Sequence, residues 1–232
     1  MHHAVAQNRV RIKTPTEQTM KRRPRLLVLA PMFVALASTL SAQSISIGLR
    51  GTGSVPTGSF AGTQAPSDTA LIVGAKNGFG YGLDASVGLG PIGVYASFDH
   101  IQFDCQTTTC TSDGKYTLQG ATAGVMLSMP GLGRVRPYVK GGVTFNDLQG
   151  GYGASSSSKL TTDRTPGYEV GLGFDYSLLG IVAFTPQVRY IGQNFKAKIP
   201  GVVTPATANG TGVNYFTFDV GLSLHTPFGG KK

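Results

Sequence analysis

Two side chains of the types that carry out hydrolysis stand close together along the chain. His100 is a candidate general base, and Ser97 lies shortly before it as a candidate nucleophile. A base within hydrogen-bond reach of a serine hydroxyl can activate it for attack on an ester, including the esters of a membrane lipid. A second histidine, His225, has no evident partner in the sequence. A single histidine at a strand end is more commonly a rim residue, so we predict no catalytic residue and no enzyme activity.

The other reactive side chains are the cysteines, Cys105 and Cys110, which flank the segment QTTT. In an exported protein, an oxidising compartment favours a disulfide between them. A zinc site would require further ligands at suitable spacing, and the histidines lie in the leader or far apart along the chain. Two free thiols are the remaining alternative. We predict a disulfide that pins a loop tip, and neither a metal nor a cofactor.

Export is indicated by the beginning of the chain, where Lys21–Arg25 is basic and Leu26–Ala37 is apolar. Small residues follow, which completes the pattern of a signal peptide. The apolar run is short for a helix that spans a bilayer, although an uncleaved anchor is the alternative. We predict cleavage after Ala42, with cleavage after Ala37 as the second choice.

The domain boundaries follow from this leader. Met20 precedes the basic segment and is a candidate for the true start, so residues 1–19 are interpreted as a misannotated upstream extension. Residues 20–42 form the signal peptide, and residues 43–232 form one barrel domain.

The net charge of +9 belongs mostly to the leader, which carries seven of the 20 basic residues before residue 43. Proteins that bind nucleic acid concentrate basic residues on the folded part of the chain. The mature segment has no such concentration, and we predict no nucleic-acid partner. Charged residues are only 13% of the sequence, against about 25% in an average globular domain.

The mature chain consists of segments in which apolar and polar residues alternate, as they do in strands with two different faces. In YFTFDVGLSL, for example, Phe216, Val220 and Leu224 fall on one face and Asp219 on the other. The eight predicted strands are Ser44–Gly53, Gly78–Leu89, Gly93–Phe103, Lys115–Met129, Arg134–Leu148, Gly167–Leu178, Ile181–Phe195 and Tyr215–Phe228.

The connections between these strands alternate strictly between short and long. The short ones are GPIG, PGLG and LG, which are turn sequences. The long ones cover about residues 54–77, 104–114, 149–166 and 196–213. This alternation is typical of an up-and-down barrel with tight turns at one end and loops at the other. We therefore predict an all-β fold, an eight-stranded antiparallel transmembrane β-barrel.

In the cores of the strands the charged residues all fall on the polar face, which in a small barrel points into a filled interior. The predicted interior charges are Arg50, Asp84, Asp99, Arg136, Lys140, Glu169, Asp175, Arg189 and Asp219. In a soluble exported barrel of lipocalin shape the same residues would face water instead. Three features favour the membrane alternative: the export signal, the alternation of short and long connections, and the aromatic residues near the strand ends.

Three segments, RPYVKGGVTFNDL, GYEVGLGFDYSL and FTPQVRYIGQNF, resemble the bacterial outer-membrane β-barrel domain family, the OmpA-like and OmpX-like eight-stranded proteins. The resemblance covers Ser44 to Phe228. It implies location in the bacterial outer membrane among lipids and lipopolysaccharide, with insertion by the barrel-assembly machinery. No peptidoglycan-binding domain follows the barrel, so a wall-tethering role is not expected.

Two classes of function remain. The first is a structural or surface-interaction protein whose loops lie outside the cell above a filled polar lumen, with an extracellular partner that the sequence does not name. The second is a narrow, porin-like pore for small solutes. Eight strands leave little open lumen, and this favours the first class.

Overall fold

The computed structural model describes residues 43–62, 74–105, 114–130, 132–151, 159–195, 197–198 and 211–228. They belong to one compact unit, Leu40–Lys232; a second unit, Met1–Thr39, lies outside the described residues. The predicted signal peptide and its cleavage site also lie outside them. None of the helices in the described part of the chain is long and apolar enough to cross a bilayer.

Eight long strands and two short ones account for nearly all of the described residues. The long strands are β1 (Gln43–Thr57), β2 (Ala75–Leu89), β3 (Ile92–Cys105), β4 (Lys115–Ser128), β5 (Val135–Gly151), β7 (Thr165–Leu179), β8 (Val182–Phe195) and β10 (Thr211–Phe228). The short strands are β6 (Lys159–Thr162) and β9 (Ala197–Lys198), and a 3-10 helix covers Gly58–Ala61. Every predicted strand is present, so the predicted fold class is confirmed.

The eight long strands form a closed antiparallel barrel. Each pairs with the next long strand along the chain, and β1 pairs with β10 over its full length, from Gln43 opposite Phe228 to Thr57 opposite Asn214. Closure gives every long strand two neighbours, which satisfies the backbone hydrogen bonds where no water is available.

The short connections are tight turns, as the sequence predicts. Gly90 and Gly180 each take a positive φ, 72° and 45°, in two-residue turns. Glycine adopts this left-handed conformation without the steric penalty that a side chain would bring. The turn between β4 and β5 is longer and contains Gly133 with a φ of 68°.

The apolar face of the strands points outward. Leu222 is 55% exposed and Leu172 is 62% exposed, whereas Asp219 and Ser223 on the other face are buried. A water-soluble barrel would bury the leucines, because burial of apolar surface is its main stabilising term. The outward apolar face therefore requires lipid around it, and the lipocalin alternative is not supported.

Exposed aromatic rings gather near the loop end of the outer surface, and they include Phe79, Tyr81, Phe145, Tyr168 and Phe216. The opposite end carries mainly aliphatic side chains, with Phe174 and Tyr176 as exceptions. The aromatic residues expected near the strand ends are therefore more numerous at the loop end of the outer surface than at the turn end.

Two prolines lie inside strands without breaking the barrel. Pro137 in β5 lies just beyond the end of β4, and its carbonyl accepts a bond from the Met129 amide. Pro186 in β8 lies where the pairing with β7 is interrupted, between the pairs Gly173–Gln187 and Tyr176–Phe184. In both places the missing proline N–H is not needed by a regular ladder.

Strands extend further toward the loop end than the sequence predicts. The first predicted strand ends at Gly53, but β1 continues to Thr57, and β10 begins before Tyr215, at Thr211. The short strands β6 and β9 lie within connections that we predicted to be irregular. These extensions are rich in small or polar residues. They therefore lack the alternation of apolar and polar residues from which a strand is predicted.

Candidate functional site

The centre of the lumen is organised around Arg189, which projects inward from β8 and is buried. Its Nε and Nη2 donate to the two carboxylate oxygens of Asp219 at 2.6 and 3.1 Å. Its terminal nitrogens also donate to Asp99, at 3.0 Å to each oxygen, and Nη1 donates to Glu169 at 2.9 Å. One guanidinium thus joins strands β3, β7, β8 and β10 across the barrel.

Arg50, from β1, extends the same network. Its Nη2 donates to Asp99 Oδ1 at 2.7 Å, its Nη1 pairs with Asp84, and its Nε lies 3.9 Å from Asp219 Oδ1. Two arginines therefore share Asp99 and Asp219. Guanidinium groups suit such positions, because their planar fork of donors matches carboxylate geometry.

Lys140, from β5, completes the network on the opposite wall. Its Nζ lies 3.3 Å from Glu169 Oε1 and 4.8 Å from the centre of the Tyr95 ring. The Tyr95 hydroxyl donates to Glu169 Oε1 at 3.0 Å. Three cations and four carboxylates thus face one another in the lumen. We call these seven side chains, Arg50, Asp84, Asp99, Lys140, Glu169, Arg189 and Asp219, the ion network.

The other two predicted interior charges, Arg136 and Asp175, lie nearer the turn end and outside the ion network. They are cross-strand partners on β5 and β7. Together with Ser44 and His225 they line a cavity of about 410 Å³. Water-sized space at this end contrasts with the close ionic packing at the centre.

His225 has a partner that the sequence analysis missed. The Ser223 hydroxyl and His225 Nε2 are 2.8 Å apart, because residues two apart on a strand share a face. Within the described residues no ion pair joins His225 to Asp175. The strand amides around the pair are engaged in the barrel ladder. The hydrogen bonds of the described residues therefore give His225 a serine partner and no hydrogen-bonded carboxylate of the kind that orients the histidine in acyl transfer.

The candidate base and nucleophile of the sequence analysis lie on opposite faces of β3. Ser97 is buried on the inner face, whereas His100 faces outward and stacks on the Tyr81 ring with 5.2 Å between ring centres. Residues three apart on a strand point in opposite directions. The two side chains therefore cannot form the hydrogen bond that nucleophilic activation needs.

An apolar layer, which was not predicted from the sequence, fills the lumen at the loop end. Phe60 projects into it from the 3-10 helix and lies 5.0 Å from the Phe103 ring and 5.9 Å from the Tyr116 ring. We call this layer the apolar plug. Its members are Phe60, Ala75, Ile101, Phe103, Tyr116, Leu118, Leu148, Ile191, Phe195, Val213 and Tyr215.

The predicted polar lumen therefore describes the centre and the turn end, and not the loop end. Ile101 and Phe103 continue the inner face of β3 beyond Ser97 and Asp99. On this face the residues change from polar to apolar within one strand. The apolar residues of β3 change parity between Phe98 and Ile101, and this change is the sequence signal that could have predicted the apolar layer.

Cys105 ends β3, and its amide donates to the Gly114 carbonyl at 3.1 Å. Cys110 lies outside the described residues, so the disulfide stays a prediction. Within the described ranges, no group of three or more histidine, cysteine, aspartate or glutamate side chains could hold a metal ion.

Comparison with solved structures finds other small outer-membrane barrels. The chain is similar to Neisserial surface protein A, with a TM-score of 0.50 and 14% identity over 78% of this chain and 96% of that one. It is equally similar to the outer membrane protein OprG from Pseudomonas aeruginosa, with a TM-score of 0.50 and 17% identity over 81% and 97%. At such identities the likeness concerns the fold alone.

No curated protein matches the sequence. A family model does match: the model described as the outer membrane protein beta-barrel domain covers residues 27–225, which is most of the chain. With the closed barrel and its outward apolar face, this match assigns the family. The chain belongs to the outer membrane protein beta-barrel domain family.

Proposed function

We propose that the protein is a closed barrel with a structural or surface-interaction role, which holds its four long connections outside the cell and does not conduct solutes. The observation that carries this proposal is the filled lumen, in which the ion network and the apolar plug lie one above the other. An ion crossing the network would have to separate buried pairs, each of which is held against a large desolvation penalty. It would then meet an apolar layer.

Single-channel recording in a planar bilayer tests this proposal. We expect the folded barrel to insert without steady current steps. The heat-denatured protein at the same concentration is the control for detergent artefacts. A reproducible conductance from the folded protein alone would contradict a closed lumen.

A narrow pore is the second candidate, and the cavity beside Arg136, Asp175 and His225 is the observation that favours it. Thiol accessibility distinguishes a blind cavity from a pore. A Ser44→Cys variant in a Cys105→Ser/Cys110→Ser background should react with a membrane-impermeant maleimide in disrupted cells. It should stay unreacted in intact cells, and equal labelling in both would favour the pore.

The proposal also covers how the chain is exported, how it is inserted into the membrane and which lipids surround it. We propose that residues 20–42 direct export and are removed after Ala42, and that the barrel-assembly machinery inserts the mature chain among lipids and lipopolysaccharide. The basic and apolar segments of the leader support this. Sequencing of the mature N-terminus should begin at Gln43; a chain that retains Leu26–Ala37 would indicate an uncleaved anchor.

We further propose that the protein is not an enzyme, which is supported by the opposite orientations of Ser97 and His100. The lipid A of a host that carries a His100→Ala variant should have the same mass spectrum as that of the wild type.

A disulfide between Cys105 and Cys110 is proposed from the sequence, and thiol alkylation before and after reduction should detect it.

A further inference from the structure

The outer surface of the barrel becomes polar along one row of β3, β4 and β5. His100, Gln119 and Asp147 are consecutive cross-strand partners in this row. All three lie on the outward face, because the residues on either side of each one are buried and face inward. We call these three side chains the polar belt.

Hydrogen bonds tie the belt together and extend it toward the loop end. Asp147 Oδ2 accepts from Gln119 Nε2 and from Gln149 Nε2, each at 3.4 Å. Asp147 Oδ1 accepts from Arg164 Nε at 3.1 Å. The Arg164 side chain is 66% exposed, so its guanidinium still faces the surroundings.

The other end of the belt combines a ring stack with an amide. Gln102 Nε2 lies 3.5 Å from His100 Nε2, and Tyr81 stacks on the His100 ring. Glutamine amides both donate and accept hydrogen bonds, and an exposed ring offers an apolar face beside them. This combination suits sugars, which present hydroxyl groups on their edges and C–H groups on their faces.

The belt is continuous with the lipid-facing band below it. One step toward the turn end, the next outward residues are Phe98, Ala121 and Phe145, which are again cross-strand partners. Ala121 and, below it, Ala123 are exposed and small, whereas both phenylalanines stand out on either side. A hydrocarbon chain lying over the alanines would bring its headgroup to the belt.

Among the described residues, this arrangement lies on β3, β4 and β5. At the loop end of β7, β8 and β10 the outer surface carries a ring cluster instead. The rings of Tyr168 and Tyr190 are 6.1 Å apart, and those of Tyr190 and Phe216 are 4.9 Å apart. A polar row joined by hydrogen bonds is therefore not a general property of this barrel at its membrane boundary.

We propose that the polar belt binds the sugar headgroup of a phosphorylated glycolipid of the outer leaflet, one of whose acyl chains lies over Ala121 and Ala123. Gln119 and His100 hydrogen-bond the sugar, and the exposed Arg164 guanidinium pairs with a phosphate, for which arginine is well suited. The proposal rests on the proposed function, which puts the loop end outside the cell.

The test measures how added lipid raises the midpoint of thermal unfolding of the refolded barrel in detergent, followed by gel mobility. Lipopolysaccharide lacking its O-chain is compared with phosphatidylglycerol. The belt variant is Gln119→Leu/Arg164→Leu. Its matched control is Asn194→Leu/Asn214→Leu, which removes two outward polar side chains from β8 and β10.

We expect lipopolysaccharide to stabilise the wild type and the control more than phosphatidylglycerol does. The belt variant should need about tenfold more lipopolysaccharide for the same shift, the loss expected when charge-assisted hydrogen bonds are removed. If the belt variant does not refold, Arg164→Gln alone takes its place, since this exposed change leaves the barrel wall intact.

Equal effects of lipopolysaccharide on all three proteins would overturn the proposal in favour of a general lipid annulus. Equal effects of the two lipids on the wild type would also overturn it, because an anionic headgroup would then suffice. Binding of the lipid-free core oligosaccharide with equal strength would overturn the assignment to a membrane lipid. Failure of the wild type to show any heat-dependent mobility would instead contradict the proposed function itself.

Discussion

At the scale of single residues, the side to which a strand residue points, lipid or lumen, depends on whether its position along the strand is odd or even. Leu222 faces lipid and Ser223 faces the lumen, although they are neighbours in sequence. The same parity puts Arg50, Asp99 and Arg189 where they can pair. Substitutions should therefore be judged by the face they alter.

Leu222→Arg should destabilise the folded barrel by about 2–4 kcal/mol, since a cation would enter hydrocarbon. Ser223→Arg should have a smaller effect, because Ser223 lines a separate polar space inside the lumen, beside Tyr138 and Gln187, into which the new side chain can extend. Urea unfolding in lipid vesicles, followed by circular dichroism, measures both. Comparable losses would contradict the assignment of faces.

Arg189→Met should destabilise the barrel by about 3–5 kcal/mol, because it leaves Asp99, Glu169 and Asp219 without their shared partner. Arg134→Met, at the exposed turn end, is the matched control and should change stability little. The chain has no tryptophan, so backbone circular dichroism is again the suitable signal. Similar stability of the two variants would show that the ion network contributes little.

Outside the apolar plug, alternation alone was enough to predict which residues face inward and which face outward, as Phe216, Val220 and Leu224 illustrate. It could not predict which charges would pair. Arg189 meets Asp99 across the barrel, and these residues are 90 positions apart in the chain. Such a contact depends on strand register and closure, which a periodic pattern does not encode. Arg136 and Asp175 share the parity of the others but lie at a different depth.

At the scale of elements, the short turns and the strand order followed from Gly and Pro positions, whereas the loop-end elements did not. The 3-10 helix Gly58–Ala61 is too short to produce a helical period in the sequence. Its role depends on Phe60, which closes the apolar plug. Phe60 lies in a connection, so it has no alternating neighbours from which the direction of its side chain could be predicted.

Phe60→Ala should destabilise the barrel by about 3–5 kcal/mol, the range for removal of a buried phenylalanine ring. Phe218→Ala is the matched control, because its ring is exposed on the outer face and lipid can fill the space. Urea unfolding in lipid vesicles compares the two. A larger loss for Phe218→Ala would mean that Phe60 is not packed in the plug.

At the scale of the whole molecule, the barrel reverses the residue distribution of a soluble protein, since its charged side chains face the interior and its leucines face outward. It is a member of an outer-membrane family, and lipids cover its apolar face. This architecture was predicted from the length of the strands, the alternation of short and long connections, and the alternation of apolar and polar residues within each strand. The layering of the lumen into a cavity, an ion network and an apolar plug required the three-dimensional structure, since each layer draws residues from many strands.

The closed wall predicts heat-modifiable mobility. In cold detergent the protein from the outer-membrane fraction should keep its barrel and migrate differently from the boiled sample. A variant lacking residues 211–228, which form β10, is the control and should run at one position under both conditions. A single band for the full chain, found in the soluble periplasmic fraction, would contradict the membrane barrel.

The pairing of β1 with β10 has a kinetic consequence. The seam joins the first and last strands of the barrel, from Gln43 opposite Phe228 onward, so the last strand to be synthesised completes the pairing of the first. Until synthesis is finished, β1 has one unpaired edge, and long-range contacts of this kind make folding slow. A chain that lacks β10 therefore leaves one edge of β1 and one edge of β8 unpaired, and unpaired strand edges favour aggregation.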